Sequence, residues 1–426
     1  MILIGILLVV LVLFGAPLFA VIGTGAMLGF WVADIPLTVM ATELYRLAEM
    51  PVLVAIPLFT FAGYLLGEGN APRRLVRLTD ALIGWLPAGL AIVALIVCAL
   101  FTAFTGASGV TIIAIGALLY PALREAGYRE NFNLGLITTS GSLGLLFAPS
   151  IPLILYGVIA QQMDAGREVS INAMFIAGIL PGLLMLALLV AWSLWENRHR
   201  HMQVVPFNTG ELVAAIRESA WELPLPVVVL GGIYSGFFAV SEAAAVTALY
   251  VLLVEILVRR EIGWRRLPEV MRESMVLVGG ILIILGMSMA STNYLIDAQI
   301  PTKIFAFIRE HVDSKLAFLM LLNVFLLGLG AILDIFSALV LVVPLILPVA
   351  IGFDIHPVHL GIIFLANMQI GYFTPPVGMN LFIASYRFKK PVTELYLAAI
   401  PFMIVLFAAV LVITYWPALS LVFLQR

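Results

Sequence analysis

Two apolar stretches of this 426-residue chain are interrupted by prolines that stand beside hydroxyl and amide side chains, a combination that could bind ions. A proline lacks an N–H, so the carbonyl four residues earlier loses its helical partner. The prolines at 149, 152, 375 and 376 are thus predicted to free the carbonyls of Leu145, Ala148, Gly371 and Tyr372. In an apolar medium such a carbonyl needs water or a cation as its partner. Sodium, a hard cation, would suit a cage of carbonyl and hydroxyl oxygens.

Side chains that could complete such a cage lie close to both interruptions in the sequence. Those near the first interruption are Thr105, Ser108, Thr111, Thr138, Thr139, Ser140 and Ser142. Those near the second are Ser337, Asn367, Gln369, Thr374 and Asn380. The pattern therefore places oxygen ligands at two separate points of the chain.

Asp334 is an ionisable residue inside an apolar run, where it is costly and is a functional candidate by default. Its carboxylate could bind a cation, carry a proton, or cap a helix by accepting free N–H groups. The sequence leaves these possibilities open, and two of them can hold together. Glu242, which precedes three alanines, is expected only to cap a helix at a surface turn.

An intramembrane serine hydrolase is a less favoured interpretation of these residues than an ion-binding site. Residues 106–109 match a Gly-x-Ser-Gly pattern around Ser108, but this short match is common in glycine-rich chains. The serine would need a histidine partner inside a span. All five histidines, namely His199, His201, His311, His356 and His359, are expected in polar connections. The chain has no His-Glu-x-x-His motif, so a zinc protease is unsupported. It also has no phosphate-binding loop for ATP hydrolysis, so any energy it uses is expected from an ion gradient or another subunit.

Composition indicates an all-α, polytopic membrane protein. The chain is 63% hydrophobic and 11% charged, with a mean hydropathy of +1.14, whereas soluble domains are about 25% charged. Apolar stretches near the roughly 20 residues that a span needs recur often enough for ten or more spans. Cys98 stands alone, so no intramolecular disulfide can form. A net charge of −2 without a basic groove gives no indication of nucleic-acid binding.

Arginine clusters set the expected orientation and the boundary between two halves. The charged link 196–222 and the segment 259–272 lie on the same side, because two apolar segments between them return the chain. The positive-inside rule places that side in the cytoplasm. Stretches 68–86 and 300–313 are expected to lie at the membrane interface.

The two halves carry an internal repeat, 105–157 and 332–384, with the same order of parts. A shift of 227 residues places Pro121 on Pro348, Gly144 on Gly371 and Pro149 on Pro376. Paired Gly/Pro-interrupted segments in two halves indicate a transporter binding site. The alternative is a pair of ordinary proline kinks, which are common in membrane helices.

Several blocks resemble the large membrane subunit of tripartite ATP-independent periplasmic (TRAP) transporters. They are residues 105–109, 127–128, 141–151, 156–157, 232–237, 241–245 and 371–382. The sequence Thr-Pro-Pro-Val-Gly-Met-Asn-Leu-Phe at 374–382 is the most specific of them. Together the blocks run across nearly the whole chain.

The resemblance implies an elevator-type fold with inverted repeats, two re-entrant hairpins at 105–123 and 334–352, and two broken helices. It implies sodium-driven import of a small organic acid, such as a dicarboxylate, keto acid or sugar acid, with sodium as coupling ion and no other cofactor. The implied partners are a small four-helix membrane subunit, a periplasmic binding protein and membrane lipid. The implied location is the bacterial inner membrane. A stand-alone carboxylate carrier, and a proton in place of sodium, stay open as alternatives.

The resemblance also implies a division of the chain and a set of site residues. The parts are scaffold and first arm helix (1–104), first transport repeat (105–172), scaffold helices (173–299), second arm helix and leading span (300–331), second transport repeat (332–390) and C-terminal span (391–426). The implied sodium ligands are Thr105, Gly106, Ala107, Ser108, Gly144, Phe147 and Pro149 at one site, and Asp334, Ser337, Gly371, Thr374 and Gly378 at the other. The implied substrate residues are Ser108, Ser142, Thr374, Pro376 and Asn380. Thr105 and Ala107 stand where the family commonly has serine, and Ala148 replaces the first of two prolines.

Overall fold

The computed structural model describes residues 10–11, 16–163, 169–199, 206–312 and 314–424, and every regular element in those ranges is helical. The first ten α-helices are α1 (Leu18–Val32), α2 (Thr38–Ala48), α3 (Ala55–Glu68), α4 (Ala71–Ile83), α5 (Gly89–Thr105), α6 (Ser108–Glu125), α7 (Glu130–Ser140), α8 (Ile151–Gln162), α9 (Ile171–Asn197) and α10 (Thr209–Glu218). The others are α11 (Pro224–Tyr234), α12 (Val240–Leu253), α13 (Leu267–Asp297), α14 (Ile300–His311), α15 (Lys315–Gly330), α16 (Ile335–Gly352), α17 (Pro357–Gly371), α18 (Met379–Phe388), α19 (Val392–Tyr415) and α20 (Ala418–Leu421). Short turns of 3₁₀-helix lie at Pro51–Val54 and Leu143–Leu146, and a π-turn lies at Val254–Val258. The expected all-α class is confirmed.

Several helices begin where a side-chain oxygen accepts an otherwise unpaired backbone N–H, which stabilises a helix start. Ser170 caps α9, Ser314 caps α15 and Asn208 caps α10, each at 2.8–3.1 Å. Glu242 in the first turn of α12 accepts the N–H of Ala239 at 2.9 Å. The prediction that Glu242 caps a helix is confirmed.

Six helical stretches of the described residues are long and apolar enough to cross a membrane. They are Pro51–Glu68, Ile171–Asn197, Val240–Val258, Leu267–Asp297, Ile335–Gly352 and Val392–Tyr415. The number rises to eight when each of two bent helix pairs is taken as one span. The described helices do not reach the expected ten or more spans, because their other apolar helices have 10–17 residues, short of the roughly 20 that span a bilayer.

The two stretches expected at the interface each contain a separate helix, α4 within 68–86 and α14 within 300–313. We call α4 the first arm and α14 the second arm. The first arm packs against α5 and α10, and the second arm packs against α16. Two further helices, α2 and α10, were not predicted, because both are short and carry charged residues rather than a long apolar run.

The internal repeat is visible in the helix boundaries. Helix α6 begins at Ser108 and α16 at Ile335, which is 227 positions later, and both have 18 residues. Helix α7 begins at Glu130 and α17 at Pro357, again 227 positions apart. The predicted repeat therefore holds for the elements as well as for the single prolines and glycines.

The residues expected to form each re-entrant hairpin contain one helix rather than two. Range 105–123 holds a tip and most of α6, and range 334–352 holds Asp334 and α16. A hairpin at either place must therefore include the preceding helix, α5 or α15. The reason is local: only Gly106 and Ala107 separate α5 from α6, and Gly106 adopts a left-handed conformation with φ +64° that reverses the chain.

The helices enclose one large apolar core, to which both repeats contribute buried side chains. Helix α3 packs against α12 and α13, and α13 also packs against α1 and α2. Helix α19 packs against α7 and α9. Helix α3 also packs against α6 and α13 against α16, so helices from other parts of the chain contact both repeats.

Candidate substrate and ion site

The first tip joins α5 to α6 through Gly106 and Ala107, and its hydroxyl groups hold it to the first interruption. Thr102 donates to the carbonyl of Gly141 at 2.8 Å and lies 2.6 Å from the Thr111 hydroxyl. Thr105 is buried, and its hydroxyl lies 3.4 Å from the N–H of Ala107. The tip is thus fixed close to the point where α7 ends.

The first interruption lies between α7 and α8, which form a pair bent by 41°. It contains the 3₁₀ turn Leu143–Leu146 and a cis peptide bond between Ala148 and Pro149. Gly144 allows close packing here: a Cβ at this position would lie 2.3 Å from the backbone nitrogen of Ala103 on α5. Small residues of this kind let membrane helices approach closely.

The second tip follows α15 and ends at Asp334, which caps α16. One carboxylate oxygen accepts the N–H groups of Phe336 and Ser337, both at 3.0 Å, and the other accepts the Ser337 hydroxyl. The N–H of Ile335 donates to the hydroxyl of Tyr372 at 3.1 Å. The capping interpretation of Asp334 is confirmed, and it brings Ser337 to the same carboxylate.

The second interruption separates α17 from α18 and contains a cis bond between Pro375 and Pro376. Pro149 and Pro376 are thus the cis prolines of the two interruptions, 227 positions apart. Gly371 faces α15, and a Cβ there would lie 2.5 Å from Cα of Gly330. Gly330 is itself 227 positions after Ala103, so the two interruptions pack on equivalent points of α5 and α15.

The prediction of bare carbonyls was wrong for the second interruption. The carbonyl of Gly371 accepts the N–H of Thr374 at 3.0 Å, and that of Tyr372 accepts the N–H of Asn380 at 2.9 Å. The prolines remove the helical donors, but the chain folds back and supplies others. Ala331 on the second tip likewise accepts the N–H of Gly378 at 3.1 Å.

The two interruptions touch each other. The Ser142 hydroxyl lies 3.2 Å from the carbonyl of Gln369, a residue 227 positions away. Residues at equivalent positions of two repeats can meet only near the axis that relates the repeats. Asn380 in the second half also contacts the first half, because its side-chain amide donates to the carbonyl of Thr138 at 3.1 Å. We call this region of contact between the two halves the junction.

Three unpartnered polar atoms lie at the junction, where the two interruptions meet. Both amide atoms of Gln369 and the side-chain oxygen of Asn380 are buried without a hydrogen-bond partner. A buried polar group left unsatisfied costs about 1–3 kcal/mol. Gln369 was one of many polar residues noted in the sequence and was not among the implied site residues, because its burial beside Ser142 depends on the tertiary fold.

The other implied site residues lie around the tips and the interruptions. Ser108 is buried close to Gly141, where a Cβ would lie 3.3 Å from the Ser108 carbonyl, so it belongs to the first tip. Thr374 donates to the carbonyl of Ile370 at 2.8 Å, and Pro376 is exposed at the surface. Phe147 packs its ring against Gly182. Among the described residues, no hydrogen bond joins the first tip directly to the second.

One histidine is buried in a helix, contrary to the prediction that all five lie in polar connections. His359 lies in the first turn of α17, where its ring nitrogens are 3.2 Å from the Ser420 hydroxyl and 3.3 Å from the Thr414 carbonyl. His311 is the last residue of α14, and His356 caps α17. His199 lies just beyond α9, and His201 lies outside the described residues. His359 therefore contacts α19 and α20 rather than Ser108.

Comparison with known proteins agrees with these features. The family model described as "Tripartite ATP-independent periplasmic transporter, DctM component" matches residues 5–419. The C4-dicarboxylate TRAP transporter large permease protein DctM of Rhodobacter capsulatus is 35% identical over 425 residues, covering 97% of this chain and 96% of the relative. The protein of the same name from Pseudomonas aeruginosa is 35% identical, covering 90% of this chain and 88% of the relative.

Two further comparisons concern a longer relative and a solved structure. The isethionate TRAP transporter permease protein DctMQ of Oleidesulfovibrio alaskensis is 33% identical over 97% of this chain, which spans 66% of that protein. The crystal structure of the Alcanivorax borkumensis YdaH transporter superposes with a TM-score of 0.64 at 14% identity, covering 89% of this chain and 88% of that one, so the fold is shared. The match over residues 5–419 and the 35% identity to full-length permeases show that this chain is a multi-pass membrane protein of the DctM family, a TRAP transporter large permease and not an enzyme.

Proposed function

We propose that this chain is the large permease subunit of a sodium-coupled, binding-protein-dependent secondary transporter that imports a small organic acid by an elevator mechanism. The observation that carries the proposal is the contact of the two interruptions at Ser142 and Gln369. Interrupted helices in corresponding positions of two repeats are the feature around which transporters bind substrate and coupling ions.

The proposed second sodium site uses Asp334 and Ser337 with Gly371, Thr374 and Gly378. A carboxylate has about four lone-pair positions, and three hydrogen bonds from α16 occupy only part of them. Asp334 can therefore cap its helix and still bind a cation. A hard ion such as sodium would be satisfied by this carboxylate together with neighbouring hydroxyl and carbonyl oxygens.

The proposed first sodium site uses residues 105–108 with Gly144, Phe147 and Pro149. Its equivalent of Asp334 under the 227-residue shift is Ala107, so it would bind sodium through carbonyl and hydroxyl oxygens alone. The substrate would lie between the two sites, at Ser108, Ser142, Thr374, Pro376 and Asn380. The unpartnered atoms of Gln369 and Asn380 support polar recognition there.

We retain the six-part division of the chain as part of the proposal, with one change to the moving repeats, 105–172 and 332–390. Each would also include the preceding helix, α5 or α15, which completes its hairpin. The arms would lie at opposite membrane faces, as expected if the repeats are inverted, with the arginine-rich links in the cytoplasm. The bacterial inner membrane is the proposed location.

The proposed partners are a small four-helix membrane subunit and a periplasmic binding protein. The DctMQ relative is longer than this chain, which spans 66% of it, and we infer that its additional part includes the small subunit. The names of the relatives include C4-dicarboxylate, isethionate, ectoine and 2,3-diketo-L-gulonate. These four compounds form the first substrate panel for this protein.

The proposal is tested in proteoliposomes that contain the chain, the small subunit and the binding protein encoded beside it. Uptake of one compound of the panel should require an inward sodium gradient and all three components, and replacing sodium by choline at constant pH should stop it. Uptake by the chain alone would instead support a stand-alone carrier. Uptake unchanged in choline would reject sodium coupling and favour protons.

Asp334 provides the sharpest test of the ion site, because asparagine caps helices about as well as aspartate. Asp334→Asn should keep the fold but raise the sodium concentration for half-maximal uptake by about tenfold or more, since about 1.4 kcal/mol of binding free energy corresponds to a factor of ten. Glu242→Gln, at another helix cap, should leave that concentration unchanged. If Asp334→Asn transports with wild-type sodium dependence, Asp334 is a helix cap only.

A further inference from the structure

A buried cluster of charged side chains attaches the first arm to the rest of the protein. Arg74 of α4 is 4% exposed, and its guanidinium bonds to Glu222 at 2.7 Å and also to Glu261. Glu261 accepts the N–H of Asn70 at 2.6 Å, immediately before the arm begins. The cluster therefore binds both the start and the middle of α4.

A third carboxyl group, that of Glu255, lies in this cluster and accepts no hydrogen bond from a donor among the described residues. Glu255 is fully buried, and both of its oxygens are unpartnered. Its nearest cation is Arg74, at 3.7 Å. The residue lies in the π-turn Val254–Val258, a rare distortion that is frequent at functional positions.

The charges of the cluster do not balance if all three carboxyl groups are ionised. The cations facing them are Arg74 and, 3.9 Å from Glu222, the partly exposed Arg259. Hydrogen bonds from Arg74 and Asn70 outweigh the effect of burial and lower the pKa of Glu261, so that Glu261 is ionised. Three negative charges would then face two positive ones, and a buried unpaired carboxylate is strongly unfavourable.

Packing against the start of the first arm keeps the Glu255 carboxyl group away from water in this structure. Its carboxyl group lies against Gly69, where a Cβ would be 2.4 Å from one Glu255 oxygen and 3.1 Å from a Glu261 oxygen. The two carboxyl groups thus share one small space between α3 and α4. A proton on Glu255 would remove the excess charge and provide a donor close to the Glu261 carboxylate.

We propose that Glu255 is a proton-binding site at the base of the first arm, occupied while the arm is attached. Loss of the proton leaves two adjacent buried carboxylates that repel each other beside Arg74, and this loosens α4 from the scaffold. The site lies among the arginine-rich segments, so the cytoplasmic pH would control it. This inference depends on neither the substrate nor the coupling ion proposed above.

Infrared spectroscopy of the purified chain at neutral pH tests the protonation directly. A protonated carboxylic acid has a carbonyl stretch that an ionised one lacks, and Glu255→Gln should remove this band from the spectrum. Glu269→Gln, which alters a half-exposed carboxylate on α13, should keep the band. A band that is unchanged in Glu255→Gln would overturn the proposal.

Thermal unfolding across pH provides a second readout. A carboxyl group that is protonated in the folded protein and ionised in the unfolded chain gives the folded state more bound protons, so stability falls as pH rises. Glu255→Gln removes this dependence, and its Tm advantage over the wild type should grow from acidic to alkaline pH. Parallel Tm curves for the two proteins would contradict the proposal.

Two measurements keep the proposal testable if Glu255→Gln folds poorly. In Glu261→Gln the neighbouring negative charge is gone, so Glu255 should ionise at lower pH and its infrared band should disappear earlier. After division by the intrinsic exchange rate at each pH, the hydrogen-exchange protection of α4 in the wild-type chain should fall at alkaline pH, with no matching fall in α14. An unshifted band in Glu261→Gln, or an equal change of protection in both arms, would overturn the proposal.

Discussion

The two arms occupy equivalent places in the two halves, yet they are attached by different interactions. The first arm is held by ion pairs, with Arg74 buried and Arg77 at the surface. The second arm contacts the end of α16 through aromatic rings: Phe305 packs edge-on against Phe353, and Arg309 lies over the same ring. In the part of the chain that the structure describes, no ion pair joins α14 to another helix.

The surroundings of the arms differ in the same way. An apolar cavity of about 330 Å³ lies between the second arm, α15 and α16, whereas the first arm packs on the charged link helix α10. Duplicated elements thus keep their position while their contacts diverge. The attachment of the first arm should therefore depend on pH and salt concentration. The attachment of the second arm should depend on the volume and shape of the side chains packed against it.

Arg74→Ala should have the largest effect of these substitutions. It leaves the carboxyl groups of Glu222 and Glu261 buried without their main partner, and breaking a buried ion pair in this way costs about 3–5 kcal/mol. A fall in the apparent Tm of the purified chain would measure this loss.

Arg77→Ala is the matched control, since Arg77 lies one helical turn later and pairs with Glu211 and Glu218 at the surface. Exposed ion pairs contribute little to stability, so its Tm should fall much less. Equal losses in Arg74→Ala and Arg77→Ala would remove the distinction between buried and exposed attachment.

Gly352→Ala tests the packing of the second arm, because it adds a methyl group without changing any charge. A Cβ at Gly352 would lie 2.4 Å from the ring of Phe305, so the arm must shift, and such overpacking costs about 1–3 kcal/mol. Hydrogen exchange should become faster in α14 and not in α4. Gly328→Ala on α15, where a Cβ would meet nothing within 4 Å, should leave both arms unchanged.

The sequence alone predicted the repeat, the two interruptions and the helical arms, because glycine, proline and apolar runs act locally on the backbone. It also predicted the cap at Asp334, which depends on residues two and three positions away. It failed where distant segments meet. The carbonyl of Tyr372 is satisfied by Asn380 after the chain folds back, and His359 is buried by α19 and α20.

The attachment of the first arm was beyond prediction for the same reason. Arg74 is one of three arginines in the stretch 68–86, and its partners lie 148 and 187 positions away in two other segments. Nothing local marks Glu222 and Glu261 as partners of the same guanidinium. Gln369 is similar, since its neighbour Ser142 lies in the other half of the chain.

The smallest expected effect is that of salt on the exposed part of the first arm. Arg77 donates to the carboxylate of Glu211 at 2.7 Å, and both side chains are partly exposed to solvent. Ions screen exposed charges over a Debye length of about 8 Å at physiological ionic strength and about 3 Å at 1 M. Raising the salt concentration should therefore increase hydrogen exchange where α4 meets α10, while α14 stays unchanged.

In Arg77→Gln this salt dependence should be absent. A salt response in α14 would show that ion pairs also hold the second arm, and the two attachments would then differ in degree rather than in kind.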